Sequence, residues 1–170
     1  MIEIHDGVVE NHIAELIALE MKNVQWKFDY PSNRWHKSRH WHVLCGNNSA
    51  EIAVNGFEWV LPIWTSTIYK YEFIKNFNIE TYKRIYMNAH THGVEPVMHK
   101  DDGDFTMIYY PRMDWIPAWG GGTLVDGQFV PYVGNRLVVF DAQLPHMAMP
   151  VTRECYQLRT CVVFKCNRNV

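Results

Sequence analysis

Thr123-Leu124-Val125-Asp126-Gly127-Gln128-Phe129-Val130-Pro131-Tyr132-Val133-Gly134-Asn135-Arg136-Leu137-Val138-Val139-Phe140 is a run of short apolar segments cut by turn residues. Asp126-Gly127 and Gly134-Asn135 are pairs that accept the positive φ of tight connections. They leave three segments, Thr123–Val125, Gln128–Val133 and Arg136–Phe140, each too short for a helix and each a candidate strand. The same rhythm extends outward. Tyr82–Ala89 and Phe105–Tyr110 precede the run, and Met147–Val151 and Gln157–Lys165 follow it. Pro111, Gly120-Gly121-Gly122 and Pro145 punctuate the spaces between. Short strands separated by regular turns predict a β-sandwich or barrel.

The first half of the chain reads differently. Asp6 is a candidate cap for a helix from Val8 to Met21, with Ile13, Leu16, Ile17 and Glu20 at helical spacing. A second helix is expected from Thr65 to Asn76, where Ile68, Tyr71, Phe73, Ile74 and Phe77 form the apolar stripe. Residues 24–61 read as short strands broken by Pro31, Gly46, Asn47-Asn48 and Asn55-Gly56, the last a hairpin signal. Helices first and strands after predict a mainly β fold, a jelly roll braced on one face by helices. At 170 residues the chain is expected to be one domain, 1–170. Within it, 1–80 is expected to be a helical and strand support region and 81–166 the jelly-roll core.

Composition narrows the function classes. The hydrophobic fraction is 48% and the aromatic fraction 14%, which suits a packed core and argues against disorder. Net charge is −2, so there is no general attraction to nucleic acid. The basic-aromatic stretch Arg34, Trp35, His36, Lys37, Arg39, His40, Trp41, His42 reads as a solvated segment with Trp anchors. No apolar run approaches membrane-span length, and the first residues lack a signal-peptide pattern, so a cytoplasmic location is expected. Cys45, Cys155, Cys161 and Cys166 form no C-x-x-C pair and read as reduced core residues. No G-x-x-x-x-G-K-[ST] phosphate loop is present.

One constellation carries chemistry. In His99-Lys100-Asp101, residues i and i+2 point to the same side of an extended chain, so His99 and Asp101 can reach one ion. With His146 they make two imidazoles and a carboxylate, a facial set that leaves coordination positions open for non-haem Fe(II) chemistry. The triplet alone has little weight among nine His and eighteen acidic residues. Its weight comes from an ordered series around it. Tyr86 comes first, then His99-Lys100-Asp101, Thr106–Tyr110, Trp119-Gly120-Gly121-Gly122-Thr123, Pro131-x-x-Gly134-Asn135 and Arg136–Asp141, followed by His146 and Arg159.

In that order and spacing, residues 82 to 165 resemble the catalytic core of the 2-oxoglutarate- and Fe(II)-dependent oxygenases. The likeness is greatest to the prolyl 4-hydroxylase-like branch with its small bacterial and phage members. The resemblance implies a double-stranded β-helix, a jelly-roll barrel. It implies a dioxygenase that hydroxylates a small-molecule or peptide substrate with release of succinate and CO₂. Fe(II), 2-oxoglutarate and O₂ are its implied cofactors and co-substrates, with ascorbate as an optional addition. His99, Asp101 and His146 take the iron. Arg159 takes the far carboxylate of 2-oxoglutarate, since a buried carboxylate wants a charge-assisted and preferably bidentate partner. Arg153 is the rival for that role. Tyr110 matches a family tyrosine that reaches the same carboxylate, Cys161 stands where relatives carry Ser, and Tyr86 is a candidate pocket wall. Trp115 and Trp119 either wall the mouth or pack on the barrel.

Two alternatives remain open at this point. A nucleic-acid dealkylase would use the same scaffold, with residues 34–42 as its support. A cupin-like metal-binding protein, without enzymatic activity, would use His90-Thr91-His92 and Glu95 instead.

Overall fold

Alternation decides the architecture. In 84–90, Ile85, Met87 and Ala89 are fully buried, while Arg84, Tyr86, Asn88 and His90 take the intervening positions. Strict alternation is the signature of a strand with two different faces. In the computed structural model, which describes residues 1–32, 34–70 and 79–168, this segment lies in an interior strand of a seven-stranded antiparallel sheet. The strands are β1 (Ile2–Asp6), β2 (Lys27–Tyr30), β3 (His40–Gly46), β4 (Ile79–His90), β5 (Phe105–Tyr110), β6 (Thr123–Val125), β7 (Gln128–Val130), β8 (Arg136–Asp141), β9 (His146–Ala148) and β10 (Arg159–Arg168). The large sheet runs β1-β8-β5-β10-β4-β3-β2, and a small sheet runs β7-β6-β9. A bridge between His99 and His146 extends the small sheet by one residue pair. The two sheets face each other as a double-stranded β-helix.

Three helices cover the outside of the large sheet: α1 (Asn11–Asn23), α2 (Ser49–Val54) and α3 (Leu61–Lys70). Ala14, Ile17 and Met21 of α1, Ile52 of α2 and Ile63 and Trp64 of α3 pack with Met87, Met107, Val139, Val162 and Phe164 from the strands. A second apolar cluster lies between the sheets at one end of the barrel, around Tyr110, Tyr132, Val138, Phe140 and Val163. No described helix is long and apolar enough to cross a membrane. All four cysteines are buried and unbridged.

The support region departs from the sequence reading in four places. Asp6 does not cap a helix. It ends a strand, β1, which pairs with β8, and its carboxylate holds Arg136 at 2.6 and 2.9 Å. Helix α1 starts at Asn11 after Glu10, with no side-chain cap, and Leu16 lies exposed where the stripe Ala14, Ile17, Met21 is buried. The Asn55-Gly56 pair closes α2 and makes no hairpin. Gly56 (φ +75°) donates to the Ala53 carbonyl and Phe57 to the Ile52 carbonyl, the crossed bonds of a helix end. Asn48 caps the other end through Glu51 N–H at 2.9 Å. Local pairing of capping residues four positions either side of Ile52 outweighed the turn signals. Finally, α3 begins at Leu61 with Pro62 in its first turn, where a missing N–H costs nothing. The expected stripe residues Tyr71, Phe73, Ile74 and Phe77 lie outside the described residues.

Candidate metal centre and co-substrate cavity

The site grows from the bridge between His99 and His146. Each donates its backbone N–H to the other's carbonyl, at 3.0 and 2.9 Å, so the two residues sit side by side with ring centroids 4.4 Å apart. Asp101, two residues on, donates its N–H to the Ala142 carbonyl at 2.9 Å. The imidazoles are fixed by their own strands. His99 Nδ1 donates to the Val97 carbonyl at 2.8 Å and His146 Nδ1 to the Leu144 carbonyl at 2.9 Å. A carbonyl only accepts, so Nδ1 carries the hydrogen and Nε2 is left with a bare lone pair. Both Nε2 atoms turn toward Asp101, at 3.7 Å from Oδ1 for His99 and 3.1 Å from Oδ2 for His146. Burial, with His146 alongside, holds the His99 imidazole down to about 4, and burial keeps His146 below its usual value. Two neutral imidazoles and a carboxylate whose ligand atoms lie within 4.8 Å of one another form one metal-competent cluster among the described residues.

Asp101 is braced. Thr106 Oγ1 donates to Oδ2 at 2.6 Å, and Lys165 Nζ is in contact with the same oxygen. Lys165 is 1% exposed, and burial with the facing Arg84 charge pushes it down to about 6, while Cys166 works in the other direction. The sequence reading missed Lys165 and Thr106. The signal was a lysine inside an apolar strand, which needs a partner as much as an arginine does.

A cavity of about 210 Å³ opens beside this cluster. Its wall on β10 is Arg159, Cys161, Val163 and Lys165, the inward face at every second residue. Arg159 is 1% exposed. Its Nε donates to the Gly121 carbonyl at 2.5 Å and its Nη2 to Thr123 Oγ1 at 3.2 Å. Gly121, at φ +75°, permits this, because a Cβ there would lie 3.2 Å from the arginine stem. No carboxylate pairs with Arg159 among the described residues. A buried guanidinium bonded only to neutral groups is costly, and an anion in the cavity would offset that cost. Arg153, the rival, is exposed in a turn.

Other candidates separate. Tyr86 and Cys161 line the cavity, and Cys161 Sγ is 3.6 Å from Arg159 Nη1. Tyr110 does not line it. Its hydroxyl meets Thr123 Oγ1 at 2.5 Å and its ring stacks on Tyr132 at 4.4 Å, one layer behind Arg159. Trp115 and Trp119 pack within that same apolar layer, edge to face at 5.1 Å, and do not wall the mouth. The set His90, His92 and Glu95 is not assembled: His90 turns into the cavity, while His92 and Glu95 are exposed. Asp102 accepts from Lys83 and Arg84, which hold it down to about 2. In the basic stretch, His40 is buried on the cavity wall, Arg39 pairs with Asp29 and Trp35 is exposed beneath Arg34.

No protein-family profile matches the chain, and no curated protein sequence does. Solved structures do. A prolyl-4-hydroxylase of Pseudomonas putida is similar over 99% of this chain and 92% of its own, with TM-score 0.65 and 15% identity. The viral collagen prolyl hydroxylase of Paramecium Bursaria Chlorella virus-1, in its 2OG complex, is similar over 99% and 96%, with TM-score 0.64 and 13% identity. HygX of Streptomyces hygroscopicus, with nickel and 2-oxoglutarate bound, is similar over 99% and 83%, with TM-score 0.67 and 9% identity. The chain has the fold of the 2-oxoglutarate-dependent oxygenases, a double-stranded β-helix, over nearly its whole length.

Proposed function

We propose that this protein is a 2-oxoglutarate- and Fe(II)-dependent dioxygenase that hydroxylates a small-molecule or peptide substrate. The observation that carries the reading is one cavity with two ends. At one end, His99, Asp101 and His146 offer two bare imidazole lone pairs and a carboxylate. At the other end is a buried arginine with no carboxylate partner among the described residues. A ligand that chelates a metal at its head and carries a carboxylate at its tail fits both ends, and 2-oxoglutarate is such a ligand. Structural neighbours whose names specify prolyl hydroxylation, or bound 2-oxoglutarate, support the choice.

The residues divide the work. His99, Asp101 and His146 would hold Fe(II), with their Nδ1 bonds and the Thr106 bond fixing ring and carboxylate orientation. Arg159 would take the far carboxylate, while Tyr86 and Cys161 wall the same space and Tyr110 steadies Thr123 behind it. When bound, the iron with 2-oxoglutarate and O₂ supplies the oxidising chemistry that yields succinate, CO₂ and a hydroxylated product. The chain's part is orientation and exclusion of water.

The test is succinate release from 2-oxoglutarate in the presence of Fe(II) and ascorbate, alongside metal analysis of the purified protein. Metal-dependent turnover that disappears in His99→Ala is the expected result. Absence of turnover together with metal content indifferent to His99→Ala and Asp101→Ala defeats the proposal.

A further inference from the structure

The cavity wall beside Arg159 holds two imidazoles whose Nε2 atoms have no hydrogen-bond partner among the described residues. In the pairing of β10 with β4, Arg159 stands opposite His90. In the pairing of β4 with β3, Trp41 stands opposite Ala89, which brings His40 next to His90 on the same face. The two rings meet edge to face with centroids 4.7 Å apart. Arg159, His90 and His40 therefore form a row across the floor of the large sheet, and all three line the cavity. The Nε2 atoms of His40 and His90 are shielded from solvent and have no hydrogen-bond partner among the described residues. Buried polar atoms are rarely left so, because an unmet donor or acceptor forfeits its bonds to water.

The chemistry of the missing partner follows from the neighbours. Burial and the adjacent His42 hold the His40 imidazole down to about 4, and burial with the Arg159 charge lowers His90 as well. Both rings are neutral at neutral pH, and each can offer Nε2–H. The acids on the cavity wall are engaged elsewhere, Asp101 by Thr106 and Lys165, and Asp102 by Lys83 and Arg84. Glu95 is exposed at the mouth. The acceptor must come with a ligand. The two other side chains placed to help Arg159 are weak candidates, since the Tyr110 hydroxyl is turned to Thr123 and Cys161 offers only a thiol.

We infer that His40 and His90 join Arg159 in a three-residue clamp on the far carboxylate of 2-oxoglutarate. The inference rests on the co-substrate reading above and adds two binding residues to it. The arginine supplies the charge. The neutral imidazoles supply directional bonds without a second cation, which would repel the first.

The experiment uses the full chain loaded with Zn²⁺ in place of iron and calorimetric titration with two probes. 2-Oxoglutarate carries the far carboxylate; oxalate shares the chelating head and lacks it. His90→Leu and His40→Leu are each expected to weaken 2-oxoglutarate by about 10-fold or more, the worth of a hydrogen bond to a charged group. Oxalate binding should be unchanged, and His90→Gln, which keeps a donor, should recover much of the loss. Equal weakening of both probes would overturn the clamp, because that marks a general disturbance of the site. Unchanged 2-oxoglutarate affinity in both leucine variants, with loss in Arg159→Leu, would also overturn it and assign the histidines to another carboxylate, that of the primary substrate. Failure of the unaltered protein to bind 2-oxoglutarate at all is a separate result that refutes the co-substrate reading itself.

Discussion

The two faces of β4 and β10 are built from alternate residues of the same strands and obey different rules. The outward face, with Ile85, Met87, Val162 and Phe164, is apolar and sealed by the helices. The inward face, with Arg84, Tyr86, Asn88, His90, Arg159 and Lys165, is polar at a depth where a barrel of this size would ordinarily be filled with aliphatic side chains. The outer face is a core in the usual sense, and its side chains are satisfied by packing alone. The inner face spends stability on buried polar groups, some of them without partners among the described residues, and on the proposed reading bound ligands would restore it. The lesson is that stability and activity should be separable by residue parity along one strand.

That separation can be broken, or sharpened, by experiment. The largest effect is expected at the proposed metal ligands. His146→Ala should weaken Mn²⁺ or Fe²⁺ binding by more than the ~10–100-fold typical of losing an outer partner. It should leave the melting temperature of the metal-free protein close to that of the parent, and a large drop in that temperature would show that the inner face is structural after all. On the outer face, Phe164→Ala should cost about 3–5 kcal/mol in denaturant unfolding, the range for deleting a buried aromatic. Phe164 is fully buried and stacks near Trp64 of α3, with centroids 6.1 Å apart. The folded fraction should still bind metal.

Thr106→Val tests the boundary between the faces. It keeps the shape and removes the 2.6 Å bond to Asp101. Metal affinity should fall by about 10–100-fold with little change in stability, as read by competition with a fluorescent chelator. An unchanged affinity would leave Lys165 as the brace that matters. A pH series probes the same face. His40 and His99 are both held down to about 4 from 6.5, so between those values the unfolded chain takes up protons that the native fold refuses. Stability of the metal-free protein should be full above pH 6.5 and decline steadily toward pH 4. A stability flat across that window would contradict the burial of these rings. The smallest effect belongs at the rim. Asp6→Asn loosens the partly exposed Asp6–Arg136 pair and should cost no more than about 1 kcal/mol by thermal unfolding.

Much of this was legible in advance, and the reasons are specific. The barrel strands showed because turn pairs such as Asp126-Gly127 interrupt short apolar runs, and both signals are local. That His99 and Asp101 share a side showed because i, i+2 geometry on an extended segment is local too, whereas His146 entered only through the order of the surrounding landmarks. The support region was less legible. Its helix ends use Asn48 and Asn55-Gly56, residues that serve turns and caps alike, and only the surrounding helix distinguishes the two. The strand β1 was missed because its pairing partner, β8, lies at the other end of the sequence.

By itself, the sequence determined the strand rhythm, the parity of each strand and the types of side chain available: an H-x-D, a later histidine and an arginine in an apolar strand. Parity says which residues share a face. It does not say which strand comes to lie alongside, because register is set by nonlocal pairing and packing. Only the tertiary structure decided that Tyr110 turns to Thr123, that Lys165 reaches Asp101, and that His90 and then His40 line up beside Arg159. The physical reason is that each of these contacts joins strands whose neighbours in space are distant in sequence, and the preference of any one strand carries no information about the other.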